Sequence, residues 1–199
     1  MQFQMSRRHI LALAGAFTVM GAPASYALSE PEARALVDQV IADIDKVIRS
    51  GKSDAAILSD LERVFAKYAD INIMAQYALG ADGRSASAAD KKAFTDAFKG
   101  YITRKYGKRF REFIGGRIEV QSTRAIRAGV EVKTKAYLQG QSPFDVAFHI
   151  SDRSGRDLVF NIFFEGVNLL LTERTEIGSL LDQRNGNIRA LANDLKSMG

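Results

Sequence analysis

The chain is predicted to be an α+β protein, with helices first, then a curved antiparallel sheet, then closing helices. Three observations lead there. Apolar residues recur at helical spacing from Ala33 to Phe110, the period drops to two between Ile118 and Val167, and helical spacing returns after Glu173. With 199 residues, 46% of them hydrophobic and 26% charged, the chain has the length and composition of one globular domain, not of a disordered or collagen-like one.

Residues 1–27 are set apart from that domain as an export signal. Paired Arg7 and Arg8 precede an uncharged apolar run from Ile10 to Met20, and Ser25-Tyr26-Ala27 suits a signal peptidase. The run is shorter than the roughly 20 residues a bilayer-spanning helix needs. The twin arginines point to export in the folded state. The expected mature protein, residues 28–199, is a single periplasmic domain. Loss of Arg7 and Arg8 lowers its formal charge from +5 to +3, too little to argue for nucleic acid.

In the mature chain, Ser29-Glu30-Pro31-Glu32 forms a capping box with proline at a helix start. The helix it opens carries Leu36, Val37, Val40, Ile41, Ile44, Val47 and Ile48, and stops at Ser50-Gly51. A second helix starts at Ser53-Asp54 and buries Ile57, Leu58, Leu61, Val64 and Phe65. A short third one, Asp70 to Leu79, holds Ile71, Met74 and Tyr77 and breaks at Gly80. After a loop over 81–86, Ser87 caps a long helix through Phe94, Phe98, Tyr101, Ile102, Tyr106 and Phe110, closed by Gly115-Gly116.

Four strands are expected next. Ile118, Val120 and Ser122 alternate with polar residues, as do Val130, Val132, Thr134, Ala136 and Leu138. Phe144, Val146, Phe148 and Ile150 share one face of the third strand, opposite Asp145, Ala147 and His149. Leu158 to Val167 reads as a fourth, more uniformly apolar strand. Short turns between them argue an antiparallel meander with one face covered by helices. The tail is helical from Glu173 to Leu181 and from Asn187 to Lys196, split at Asn185-Gly186.

The inventory for catalysis is thin. Without cysteine there is neither a thiolate metal site nor a cysteine nucleophile, and His149 is the only histidine after residue 27. His149 lies on the polar side of its strand, where an exposed histidine is the plain reading. Glu165-Gly166, at the end of an apolar strand, is the most enzyme-like feature. A buried base and a simple strand-end hydrogen bond are both compatible with it. No glycine-rich phosphate loop occurs between a strand and a helix. No cofactor or metal is expected.

Two apolar stripes are expected to face each other. The sheet offers Phe144, Val146, Phe148, Ile150, Ile162 and Phe164, and the long helix offers Phe94, Phe98, Ile102, Tyr106 and Phe110. Such stripes mark either a close-packed core or the wall of a cavity. The same helix carries a basic stripe, Lys99, Arg104, Lys105, Lys108, Arg109, Arg111 and Arg117, against a lone Glu112. It reads either as a solvated face or as a docking surface for anionic headgroups or an acidic protein, centred on Lys105, Lys108 and Arg109.

Several short motifs resemble one family. Phe65-Ala66-Lys67-Tyr68-Ala69-Asp70-Ile71, then Met74-Ala75-Gln76-Tyr77-Ala78-Leu79-Gly80 and Arg84, are similar to the front motif of MlaC-type proteins, the toluene-tolerance auxiliary family. Phe94, Phe98 and Tyr106 fall where that family has its F…F…Y helix. Phe163-Phe164-Glu165-Gly166-Val167-Asn168-Leu169-Leu170, followed by Arg174, resembles its most specific segment. The likeness runs from about Ser29 to Lys196. There are departures: Gly83, Leu158 and Asn161 stand where the family tends to carry tryptophan and aspartate. Asn168 replaces a serine, and Glu173 a tyrosine.

The resemblance implies a monomeric periplasmic carrier of phospholipid, not an enzyme. It would shuttle lipid between an outer-membrane lipoprotein complex and an inner-membrane ABC-type transport complex, touching membranes transiently. The implied fold is similar to nuclear-transport-factor-like proteins with an added helical part, around an apolar cavity. On that implication the two stripes, with Met74 and Tyr77, become the expected lipid-binding wall. At about 0.8 kcal/mol per methylene kept from water, two long acyl chains contribute on the order of 20 kcal/mol before ordering costs. The competing class is an acid–base enzyme on a similar cone-shaped sheet, with Glu165 or His149 acting on a small apolar substrate.

Overall fold

Local signals set most of the element ends. The computed structural model describes residues 28–110 and 116–199. The expected signal segment 1–27 and the side chains of Lys108, Arg109 and Phe110 lie outside the described residues. Helix α1 (Glu30–Ile48) opens on its capping box: Ser29 Oγ accepts from the Glu32 N–H at 3.4 Å, and the Glu32 carboxylate accepts from the Ser29 N–H at 2.9 Å. Helix α2 (Asp54–Tyr68) follows, and the Asp70 carboxylate caps α3 (Ile71–Leu79) by accepting from the Ile73 N–H. A single turn, α4 (Asp82–Ser85), lies where the sequence reads as loop, before the long α5 (Ala88–Phe110).

Strands β1 (Arg117–Ile126), β2 (Gly129–Tyr137), β3 (Phe144–Ser151) and β4 (Leu158–Phe164) form the expected antiparallel meander, adjacent in chain order. Gly129 starts β2 against β3 with φ of 147°, and a Cβ there would sit 1.9 Å from the Ile150 carbonyl oxygen. Only glycine fits.

The last expected strand ends early. Glu165 and Gly166 both take positive φ, 49° and 78°, as a two-residue hairpin turn requires. A fifth strand, β5 (Val167–Asn168), therefore pairs back on β4, with Phe164 opposite Val167. Asn168 then caps α6 (Leu169–Asp182), accepting from the Leu171 N–H at 3.0 Å, so α6 begins at Leu169 and not at Glu173. Helix α7 (Ile188–Leu195) closes the chain.

Among the described residues the buried apolar side chains form two cores. Helix α1 lies on the inner face of the sheet, where Ala33 and Val37 meet Val130, Val132, Val146, Phe148 and Ile150. The second core is built by α3, α5, α6 and α7 around Phe94, Phe98, Tyr101, Ile177, Leu181 and Leu191. Helix α2 packs on α1 and on α5, and so bridges the two. Asp70 ties them further, its N–H donating to the Val159 carbonyl at 2.8 Å and its carboxylate accepting from the Ser154 hydroxyl.

Candidate functional site

A cavity of about 90 Å³ lies between the inner face of the sheet and the α1–α2 pair. The sheet contributes Ile118, Val146, Phe148, Val159, Ile162 and Phe164. The helices contribute Val40, Ile41 and Ile44 from α1 and Leu61, Val64, Phe65 and Tyr68 from α2, with Ala69 at its end. Among the described wall residues Tyr68 alone has a polar side chain, and its hydroxyl donates to Asp43 Oδ2 at 2.7 Å. The described wall is therefore almost wholly hydrocarbon, a lining that favours apolar groups over water.

The alternation of strands brings four of the six expected sheet residues to this cavity. Val146, Phe148, Ile162 and Phe164 all line the cavity, while Ile150 is fully buried in the adjoining sheet core and Phe144 packs at its margin. The long helix does not face them. Phe94, Phe98, Ile102 and Met74 are buried in the helical core, with Phe94 and Phe98 stacked at 5.5 Å, and Tyr106 packs against that core. Tyr77 is 38% exposed, its ring under the Arg174 guanidinium at 5.1 Å. The opposing wall comes instead from α1 and α2. A clue lay in α1, whose apolar residues Leu36, Val37, Val40, Ile41, Ile44, Val47 and Ile48 make a stripe wide enough to serve both a core and a cavity.

Of the three expected docking residues, Lys105 alone has a described side chain, and it does not face outward. Lys105 turns inward to α6, where its Nζ donates to Glu173 Oε1 at 2.8 Å, to the Tyr101 hydroxyl at 2.9 Å, and to Glu176. The Tyr101 and Tyr106 hydroxyls donate to Glu176 and Glu173. Burial alone would lower the Lys105 pKa, but the Glu173 and Glu176 carboxylates hold it above its ordinary value. Burial, with the same carboxylates, pushes both phenols up. Glu173 is 1% exposed and its Oε2 has no hydrogen-bond partner among the described residues. Arg104 bonds the carbonyls of Leu195 and Met198 at the end of α7, and Lys99 pairs with Glu62 at 3.2 Å. These cations hold helices together, because α5 is packed against α2, α3 and α7 and has little outward face here.

The acid–base candidates stand away from the cavity. Glu165 is an exposed hairpin residue whose Oε1 accepts from the Asp145 N–H. His149 lies on the outer sheet face, with Nε2 3.1 Å from Glu131 Oε2 and its ring against Phe163 at 4.6 Å. Glu131 also accepts from Arg124 Nε at 2.6 Å. The Arg124 bond holds the Glu131 carboxyl below its ordinary value against the opposing effect of burial, and His149 adds to it. Among the described residues no carboxylate, histidine, lysine or arginine lines the apolar wall on the other side of the sheet.

A meander roofed by two helices, with a hydrocarbon-lined cavity between, defines an α+β protein organised around an apolar interior. The family model described as MlaC protein matches residues 34–197, and the chain belongs to the MlaC family. Among solved structures, the fold is similar to that of a phospholipid-binding protein from Ralstonia solanacearum in complex with a phospholipid. The TM-score is 0.69 at 20% identity, over 85% of this chain and 95% of that one. Among curated proteins, none matches the sequence.

Proposed function

We propose that the chain is a periplasmic carrier that holds phospholipid acyl chains between the sheet and the α1–α2 pair. It would move lipid between an outer-membrane lipoprotein complex and an inner-membrane ABC-type complex. One observation carries the reading: the fourteen described residues of the cavity wall, from both layers, present hydrocarbon, the single hydroxyl among them being engaged with Asp43. Family membership and the phospholipid held by the Ralstonia protein support it. The resting volume, about 90 Å³, is smaller than the ~150 Å³ that admits benzene. Loading an acyl chain thus requires α1 and α2 to lift from the sheet, which is feasible because Ile41, Ile44, Val64, Phe65, Ile162 and Phe164 are only half-buried. Burial of the acyl methylenes then offsets the cost of parting the two layers.

Native mass spectrometry of the protein purified from the periplasmic fraction tests the proposal. The expected species is the chain beginning near Leu28 with diacyl phospholipid bound. Folded protein that carries no lipid and takes none up from vesicles refutes it.

A further inference from the structure

Helix α1 roofs the apolar cavity through Val40, Ile41 and Ile44, while its opposite end is fastened to the sheet. The Leu28 side chain packs into the sheet core beside Ala33 and Val37, and the Glu30 carboxylate accepts from the Thr123 hydroxyl of β1 at 2.6 Å. This anchorage leaves the Leu28 backbone nitrogen 3.3 Å from Asp152 Oδ2, in the turn between β3 and β4 and 124 positions away in sequence. Leu28 is also the residue that follows the expected signal-peptidase site, Ser25-Tyr26-Ala27.

The surroundings of that nitrogen are acidic. Asp152 and Asp157 stand half-buried at the two ends of the β3–β4 turn, and Glu32 reaches back from α1 to the Ser29 N–H. Burial first, and then the negative charges of Glu32 and Asp152, push the Asp157 carboxyl above its ordinary value. The three carboxylates are therefore near enough to repel one another. Among the described residues no lysine or arginine pairs with any of them. Two arginines occupy the same turn, but Arg153 donates to the Arg127 carbonyl at 3.3 Å, and Arg156 lines a separate groove with Asp70, Asp96 and Lys99. A peptide nitrogen offers this group a single neutral N–H, whereas an ammonium offers three donors and a positive charge.

We infer that Glu32, Asp152 and Asp157 receive the α-ammonium of Leu28, so that removal of residues 1–27 completes a latch between α1 and the sheet. Hydrolysis of the Ala27–Leu28 amide consumes one water and yields a carboxylate on the departing segment and an ammonium on Leu28. That ammonium is charged at neutral pH. A cation just ahead of a helix works against the helix dipole, and the carboxylates outweigh that effect here. The latch holds the end of α1 about which the cavity roof lifts, and so ties cargo exchange to completed export. The contact itself depends on the expected cleavage site, and its effect on lipid rests on the carrier reading.

The test compares the protein recovered from the periplasm with a form carrying Gly-Ser inserted between Ala27 and Leu28, which carries the new ammonium away from the carboxylates. Intact mass is expected to place the natural start at Leu28. Thermal unfolding should give the inserted form a midpoint about 2–4 °C lower, a difference that shrinks in high salt. In an Asp152→Asn/Asp157→Asn background the insertion should make no difference, because the partner charges are gone. Neither aspartate is fully buried, so this background is expected to fold, and circular dichroism checks that it does. Transfer of bound lipid to phosphatidylcholine vesicles should be severalfold faster from the inserted form. A start other than Leu28, equal midpoints for the two forms, or a difference that survives in the asparagine background overturns the latch. Equal transfer rates overturn its role in exchange. If the midpoints differ as expected but neither form carries or takes up lipid, the latch stands and the carrier reading fails.

Discussion

Replacing Val146 by phenylalanine is expected to raise the stability of the lipid-free protein while removing its cargo. Val146 is 3% exposed, lies on the inner face of β3 and forms part of the cavity wall. At ~24 cal/mol per Å³ of void removed, filling all 90 Å³ would contribute about 2 kcal/mol. A phenyl ring fills part of that space and meets some resistance from its neighbours, so the expected gain is about 1 kcal/mol. For a domain of this size that corresponds to roughly 2–4 °C in Tm. The ring would occupy the space an acyl chain enters, so lipid extracted per mole of protein should fall severalfold. Thermal unfolding of the delipidated variant and lipid analysis of the protein as purified give the two readings. The opposite signs are the point, because a merely damaged protein loses both. A variant that melts lower than wild type, or one that is stabilised yet keeps its lipid, refutes the reasoning.

Three further outcomes follow from particular contacts. Phe148→Asp, whose carboxylate would point into hydrocarbon, should lower lipid content far more than Ala147→Asp on the outer face, with folding checked in both by circular dichroism. Lys105→Ala leaves Glu173 buried without its cation and should destabilise the protein by about 3 kcal/mol in denaturant unfolding, without altering which lipids bind. Glu131, whose carboxyl is held below its ordinary value by Arg124, contributes stability above that value that is lost as pH falls through the folded one. Glu131→Gln should therefore flatten the acid side of the stability profile, seen in unfolding midpoints measured between about pH 3 and 7.

What was readable without the structure was local. The Ser29–Glu32 capping box, the break at Asn185-Gly186 and the alternation of residues 144–150 each act over a few positions, and each appears as expected. Four strands and the face of β3 that meets the cavity follow from period alone. The family likeness, resting on motif order, also holds over residues 34–197. The early end of β4 was less readable, because apolar residues continue through Phe163-Phe164 and resume at Val167. The positive φ at Glu165, a residue that seldom adopts it, is set by the strand pairing around it.

Tertiary structure decided which surfaces meet. An aromatic stripe on α5 satisfies its hydrophobic demand equally against a sheet or against other helices, and packing of α3, α6 and α7 settles it in favour of helices. That choice turns Lys105 from an expected surface charge into the cation of a buried network, since its partners Glu173 and Glu176 lie far along the chain. It also leaves the sheet's inner face to α1 and α2, whose residues form the other half of the cavity. Periodicity shows that a face is apolar. Burial is non-directional, so only the arrangement of the whole chain shows what that face is buried against.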